Sequence, residues 1–332
     1  MRTTLEALLA TGRVLLADGA TGTNYMEMGL GAGEAPELWN VDAPDKVASL
    51  HRRFVDAGAD VILTNTFGCN RHRLTLHGAE HRVGELARAA ATIAGEVAAA
   101  SSRPVVVAGS VGPTGELFEP LGALTEEAAV AAFGEQIAAL REGGADVAWI
   151  ETMSAPEEVR AAARAAFAVG LPVVATCSFD TAGRTMMGLA PGDYPAVFSD
   201  LGASPVAIGA NCGVGAPDIL VSVLAMTETS PYPVVSKGNC GVPQFQGTEV
   251  VYSGTPELMA RYAVLAADAG ARIVGGCCGT TAEHLAAMRA ALDEHASGER
   301  PTVESIVAGV GPLANMAPST VGAPARERRR AR

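Results

Sequence analysis

Lysine is nearly missing from this 332-residue chain, which holds only Lys46 and Lys237. Arginine does not make up the deficit: Lys+Arg total 24 against Asp+Glu 36, a net charge of -12. Nucleic acid is excluded as a partner, because gripping phosphates requires an excess of basic surface. No run of about 20 apolar residues occurs, so no membrane-spanning helix is expected. The opening Met1-Arg2-Thr3-Thr4-Leu5-Glu6 has no apolar core of a secretory signal, which leads us to expect a cytoplasmic protein. Aromatic residues make up 5%, too few for the stacked platform of a sugar-binding cleft. No G-x-G-x-x-G turn follows the first apolar run, which argues against a dinucleotide-binding sheet. None of the six histidines offers a zinc-ligand spacing near a strand end, as a water-activating zinc hydrolase would need.

What is present is a core-rich chain, 48% hydrophobic, ample for one large domain. Eight short apolar runs read as strands: 14–17, 61–64, 105–108, 147–150, 173–176, 206–209, 234–236 and 272–274. Their continuous β-branched character suits parallel strands buried on both faces. Helical spacing fills the intervals, over 44–56, 83–99, 126–142, 156–168, 216–227, 256–269 and 282–295. Pro156-Glu157 and Pro256-Glu257 suit first helical turns, and Gly58, Gly144, Gly170 and Gly270 suit helix ends. Pro191 and Pro195 shorten any helix between the fifth and sixth strands. Eight alternations predict an α/β (β/α)8 TIM barrel, a single domain over residues 1–298. Residues 299–332, with Pro301, Pro312, Pro318 and Pro324, read as an irregular C-terminal tail. It is either extended and mobile or an arm on another subunit of a homo-oligomer. Its arginine cluster at 326–332 reads as a solvated terminus.

Barrel chemistry gathers at the C-terminal ends of the strands, and all six cysteines fall there. Two are adjacent in Gly275-Gly276-Cys277-Cys278-Gly279-Thr280-Thr281, and a third ends Ala210-Asn211-Cys212. Three thiolates from two strand ends would bind Zn2+ and leave one position open, the arrangement of a catalytic rather than a structural site. Small buried thiols are the plainer reading of Cys212 taken alone. A free thiol has a pKa near 8.5, and binding to zinc deprotonates it. Three thiolate ligands make the zinc electron-rich, which suits alkylation of a bound thiol better than hydrolysis. Asp18 and Glu151 end two other strands and could meet on one amino group. The glycines after Asp18 offer N–H groups to a carboxylate. Ammonium, carboxylate and thiol sites together describe a small amino acid bearing a thiol. A turn-forming Asp-Gly is the plain alternative for Asp18.

These segments resemble the homocysteine S-methyltransferase family, which includes the homocysteine-binding barrel of cobalamin-dependent methionine synthase and betaine–homocysteine methyltransferase. The matching residues are Asp18-Gly19-Ala20-Thr21-Gly22-Thr23, Thr64-Asn65-Thr66-Phe67, Gly109-Ser110-Val111-Gly112-Pro113, Ile150-Glu151-Thr152, Gly183-Arg184-Thr185, Asn211-Cys212 and Gly275 to Thr281. They run in order over about residues 13–295. The resemblance implies methionine synthesis from homocysteine, with Cys212, Cys277 and Cys278 as zinc ligands. Asp18 and Glu151 would hold the homocysteine ammonium, the loop Gly19-Ala20-Thr21 its carboxylate, with Ser110 and Asn211 beside them. Trp39 matches a tryptophan of the betaine enzymes and could wall a quaternary ammonium. Gly68 and Thr152, however, stand where those enzymes resemble each other in carrying tyrosine. Asn65, Phe67 and the loop Gly238-Asn239-Cys240-Gly241-Val242-Pro243 look closer to the methionine synthase module, with Asn239 on the donor side. The expected donor is therefore methylcobalamin on a separate corrinoid protein or glycine betaine, with S-methylmethionine and dimethylsulfoniopropionate as sulfonium alternatives. Two readings of another kind stay open: a Schiff-base aldolase using Lys237, and a non-enzymatic barrel whose zinc is closed by Cys240 as fourth ligand.

Overall fold

A computed structural model describes residues 3–241, 243–246 and 249–315; the arginine cluster at 326–332 and Val242 lie outside these. Eight parallel strands carry the domain: β1 (Leu15–Leu16), β2 (Val61–Leu63), β3 (Val106–Val111), β4 (Val147–Met153), β5 (Val173–Cys177), β6 (Ala207–Cys212), β7 (Val234–Gly238) and β10 (Ala271–Gly276). Between the last two lies an antiparallel hairpin, β8 (Pro243–Gln246) with β9 (Glu249–Tyr252), which is not among the eight strands expected from the sequence. The sheet order is β1-β10-β7-β6-β5-β4-β3-β2. A parallel bridge from Ala17 to Val61 joins its two edges, giving the expected (β/α)8 barrel.

Twelve helices surround or cap it: α1 (Leu5–Leu9), α2 (Gly22–Glu27), α3 (Trp39–Asp42), α4 (Pro44–Asp56), α5 (Arg71–Thr75), α6 (Val83–Ala100), α7 (Glu126–Gly143), α8 (Pro156–Ala168), α9 (Ala216–Thr229), α10 (Pro256–Asp268), α11 (Ala282–Glu294) and α12 (Val303–Val310), counted among the described residues. Proline opens α4, α8 and α10, where its missing N–H costs nothing. Thr125 caps α7 by accepting from Ala128 N at 3.2 Å, and Gly144, at φ 99°, ends it. The two proline residues after β5 give a 3₁₀ stretch, Pro191–Phe198, instead of a full helix.

Strand alternation divides the apolar residues into two cores. Leu15, Leu63, Val106, Val147, Trp149 and Val235 fill the barrel interior, which Leu5 and Leu8 of α1 plug at the N-terminal end. Leu16, Ile62, Val107, Ala148, Ile208 and Val274 face the helices. Of the 299–332 tail, the described residues 299–315 depart from the extended form expected for it. Thr302 and Ser305 form a capping box that starts α12, and Ile306 is fully buried. Arg300 donates to Leu224 O and Ala269 O, while Asp218 accepts from Ala314 N and Asn315 N, both at 2.9 Å. Residues 299–315 therefore pack on α9 and α10, because an apolar helical stripe sits between Pro301 and Pro312. Among the described residues, no helix is long and apolar enough to cross a membrane.

Candidate active site

At the C-terminal mouth, β6 delivers Cys212 and the turn after β10 delivers Cys277 and Cys278. Their sulfur atoms all lie within 4.8 Å of one another. One tetrahedral ion at about 2.3 Å from each thiolate would draw the sulfurs to about 3.8 Å apart. The three residues thus fit a single metal ion with a small contraction. The turn is shaped for this: Cys277 N donates to Gly238 O at 2.7 Å, and Cys278 N to Asn239 Oδ1 at 3.1 Å. At Gly276 a Cβ would meet Thr280 at 2.2 Å, so only glycine fits. Bonds from Cys212 and Cys277, with a further one from Tyr252, hold Cys278 far below the ordinary thiol range. The same contacts and burial push Cys212 up to about 12 and Cys277 up as well, so without a cation the charge sits on Cys278, and three soft sulfur donors stand together for a soft cation. Cys69, Cys177 and Cys240 are separate buried thiols, and Cys240 does not join the sulfur group that would close a four-cysteine site.

Cys212 has φ 62°, as does Thr152 at the end of β4. Left-handed backbone at two side-chain-bearing strand ends is strained and needs enforcement. Asn211 supplies it. Its Oδ1 accepts from Thr152 N at 2.8 Å and Thr176 Oγ1 at 2.6 Å, and its Nδ2 donates to Thr152 Oγ1 at 2.7 Å. Asn211 is thereby committed to shaping the mouth.

Below the sulfurs, Ser110 Oγ donates to Glu151 Oε1 at 2.6 Å. Burial pushes the Glu151 carboxyl up to about 7, against the nearby Lys237 charge and that hydrogen bond. Asp18 is placed differently. Lys237 Nζ donates to Asp18 Oδ1 at 2.7 Å and to Asp18 O at 3.0 Å, and Leu63 N donates to Asp18 Oδ2 at 2.7 Å. The pair is almost fully buried, at 2% and 1% exposure. Burial raises the Asp18 carboxyl, and Lys237 opposes the rise. A lysine donating two hydrogen bonds to an aspartate is a poor Schiff-base nucleophile, which speaks against the aldolase reading.

One chamber of about 370 Å³ connects these groups. Its walls include Gly19–Thr23, Asn65–Phe67, Ser110, Glu151, Lys237 and all three clustered cysteines, but not Asp18, Asn211, Asn239 or Trp39. The ammonium contact expected of Asp18 is thus already occupied by Lys237. Ala20 N is also engaged, with Thr280 O at 3.0 Å. Asn65 is held by Pro36 O and Asn40 Oδ1, and Asn239 donates to Gly213 O at 2.7 Å. Trp39 packs on Tyr25 with ring centroids 5.3 Å apart, and Lys46 Nζ sits 4.1 Å from its ring. Its expected place in a donor cage is not what the packing of α3 provides. Two charged wall residues lie outside the expected homocysteine contacts: Lys237, expected only as an aldolase lysine, and Glu37. Glu37 is buried and accepts from Gly68 N at 2.7 Å. A charged residue inside an apolar wall is visible in the sequence only once its partner across the barrel is known.

A cluster of three cysteines and a buried carboxylate thus share one chamber at the barrel mouth. The chain matches the family model for homocysteine S-methyltransferase over residues 15–292, and it belongs to that family. It is 31% identical over 308 residues to methionine synthase of Mycobacterium leprae, covering 88% of this chain and 25% of that protein. Methionine synthase of Mycobacterium tuberculosis is also 31% identical, over 90% of this chain and 26% of its own length. The chain therefore spans about a quarter of these relatives. Among solved structures, the homocysteine methyltransferase MmuM from Escherichia coli in its oxidized form superposes with a TM-score of 0.73 at 25% identity, covering 86% of this chain and 98% of that one. Its metallated form gives a TM-score of 0.72 at 24% identity, over 86% and 99% of the two chains.

Proposed function

We propose that the protein is a zinc-dependent homocysteine S-methyltransferase that makes methionine. The observation carrying this reading is the convergence of Cys212, Cys277 and Cys278 with Glu151 in one chamber. Bound by the three cysteines, zinc would deprotonate a substrate thiol and hold it as a thiolate. Ser110 and Glu151 would pair with the substrate ammonium, fixing its carbon chain below the sulfurs. The arriving ammonium favours the charged form of Glu151, whose burial otherwise favours the neutral one. A sulfur–carbon bond forms as the donor–methyl bond breaks, and the electron pair of that bond leaves with the donor. No side chain has to take a proton from the methyl group.

The donor reading rests on the chamber walls. Phe67 is the only aromatic residue lining it among the described residues, and a quaternary ammonium is normally caged by several rings. This favours methylcobalamin carried on a corrinoid protein over glycine betaine, with the sulfonium donors between them. The likeness to methionine synthases points the same way. The test is methionine formation from homocysteine by zinc-loaded protein, run in parallel with methylcobalamin, glycine betaine and S-methylmethionine. Methionine from methylcobalamin alone is the expected result. Turnover with betaine alone overturns the donor reading, and no methionine from any donor overturns the activity.

A further inference from the structure

Lys237 is the one cationic side chain lining the chamber among the described residues. Its burial calls for a reason other than stability, since an apolar pair of similar size often stabilises a core as well as a buried ion pair does. The ammonium has three N–H donors. Asp18 O and Oδ1 take two. Lys237 nevertheless reaches the chamber wall, and Asp18 does not.

The sheet register places this charge. β7 lies between the two strands that bear the clustered cysteines. Gly238 pairs with Cys212 on one side and with Gly276, the residue before Cys277, on the other. Lys237, one residue earlier, pairs with Asn211 and Gly275. The lysine thus stands one level below the sulfurs, on the barrel axis side, with the Trp149 ring centroid 5.9 Å from Nζ. Lys237 and Glu151 both line the chamber, and Asp18 backs the lysine. A zwitterion complements these two lining groups, its ammonium against Glu151 and its carboxylate against Lys237.

We propose that Lys237 recognises the α-carboxylate of the thiol substrate and so sets specificity for an amino acid over a simple aminothiol. This rests on homocysteine being the substrate. Attachment is then at three points: sulfur at the cysteine cluster, nitrogen at Glu151 and Ser110, carboxylate at Lys237. Asp18 acts through Lys237 as its positioning partner.

The experiment compares homocysteine with 3-aminopropanethiol, which is homocysteine without its carboxylate, by calorimetric binding and by kcat/KM. Wild type, Lys237→Met, Lys237→Arg and the double variant D18N/K237M are used, the last removing the carboxylate that Lys237→Met alone would orphan. Wild type should prefer homocysteine on the order of 10–100-fold, as for one charge-assisted hydrogen bond. That preference should collapse in Lys237→Met and in the double variant and return in part in Lys237→Arg. Equal losses for both thiols, or a preference that survives in D18N/K237M, overturn the assignment and leave Lys237 as a partner of Asp18 only. Calorimetry separates this from the activity: a wild type that discriminates in binding but transfers no methyl group supports Lys237 while refuting the proposed reaction.

Discussion

Replacing Glu151 by Gln should stabilise the metal-free protein while removing its hold on the substrate. Glutamine keeps the volume, and its Oε1 can still accept from Ser110. The carboxyl rises from its ordinary 4.5 to about 7 because burial disfavours its charge. Below pH 4.5 both folded and unfolded chains carry the proton, and the residue is neutral to stability. Between the two values the unfolded chain ionises first, so the native state is penalised increasingly as pH rises. Above about 7 the penalty is complete. At about 1.4 kcal/mol per unit, it amounts to about 1 kcal/mol at pH 5.5 and about 3 kcal/mol at pH 8. The stability advantage of Glu151→Gln should therefore widen by about 2 kcal/mol across that interval. Asp18 and Glu37 are present in both proteins and cancel in the difference. Urea denaturation of both chains at the two pH values measures it. A gap that stays flat, or narrows as pH rises, refutes the assignment of a desolvated carboxyl. In the wild type, the same proton should make homocysteine binding strengthen as pH climbs through about 7 and level off above it.

Cys277→Ala should lose zinc retention and methyl transfer together, read by metal analysis after dialysis against a chelator; full activity in metal-stripped variant protein would sink the metal reading. At the opposite end of the barrel, Asp60 pairs with Arg13 at 2.8 Å and Arg103 at 3.2 Å and accepts from Leu16 N at 2.9 Å. Asp60→Ala should lower unfolding free energy by about 3 kcal/mol without changing zinc content, and an unshifted urea midpoint would contradict it. Ile306→Ala should lower stability by about 2–4 kcal/mol, as for a buried core side chain. If residues 299–315 do not belong to the folded unit, that loss will not be seen.

The barrel was legible because each strand is a continuous β-branched run and proline and glycine punctuate the helices between them. The cysteine pair in its glycine turn was legible for a related reason: packing rarely asks for two thiols where the backbone leaves no room for side chains. The β8–β9 hairpin escaped because its polar alternation lies between two strands already counted. Helix α12 escaped because four prolines dominate the composition around it. Longest in reach, and least visible, is the Asp18–Lys237 pair. Its members are 219 residues apart, and nothing local to Asp18 says that a lysine from across the barrel will take its carboxylate. Trp39 shows the converse. Its sequence context matches a donor wall, but the ring's direction is decided by Tyr25 and Lys46.

The two edges of the sheet meet at β1, which is only two residues long. Main-chain bonds there are few: Asp60 N to Leu16 O and Asp18 N to Val61 O. Side chains complete the join. Asp60 accepts from Leu16 N near the bottom, and Asp18 accepts from Leu63 N near the top. Two carboxylates thus act as clasps where a longer strand would supply carbonyls. The upper clasp is also the one that Lys237 holds from the far side of the ring, so the seam is tied directly to the chamber wall. Amide exchange at Leu63 should therefore slow when the chamber is filled, while exchange at Leu16, under the lower clasp, stays as it was.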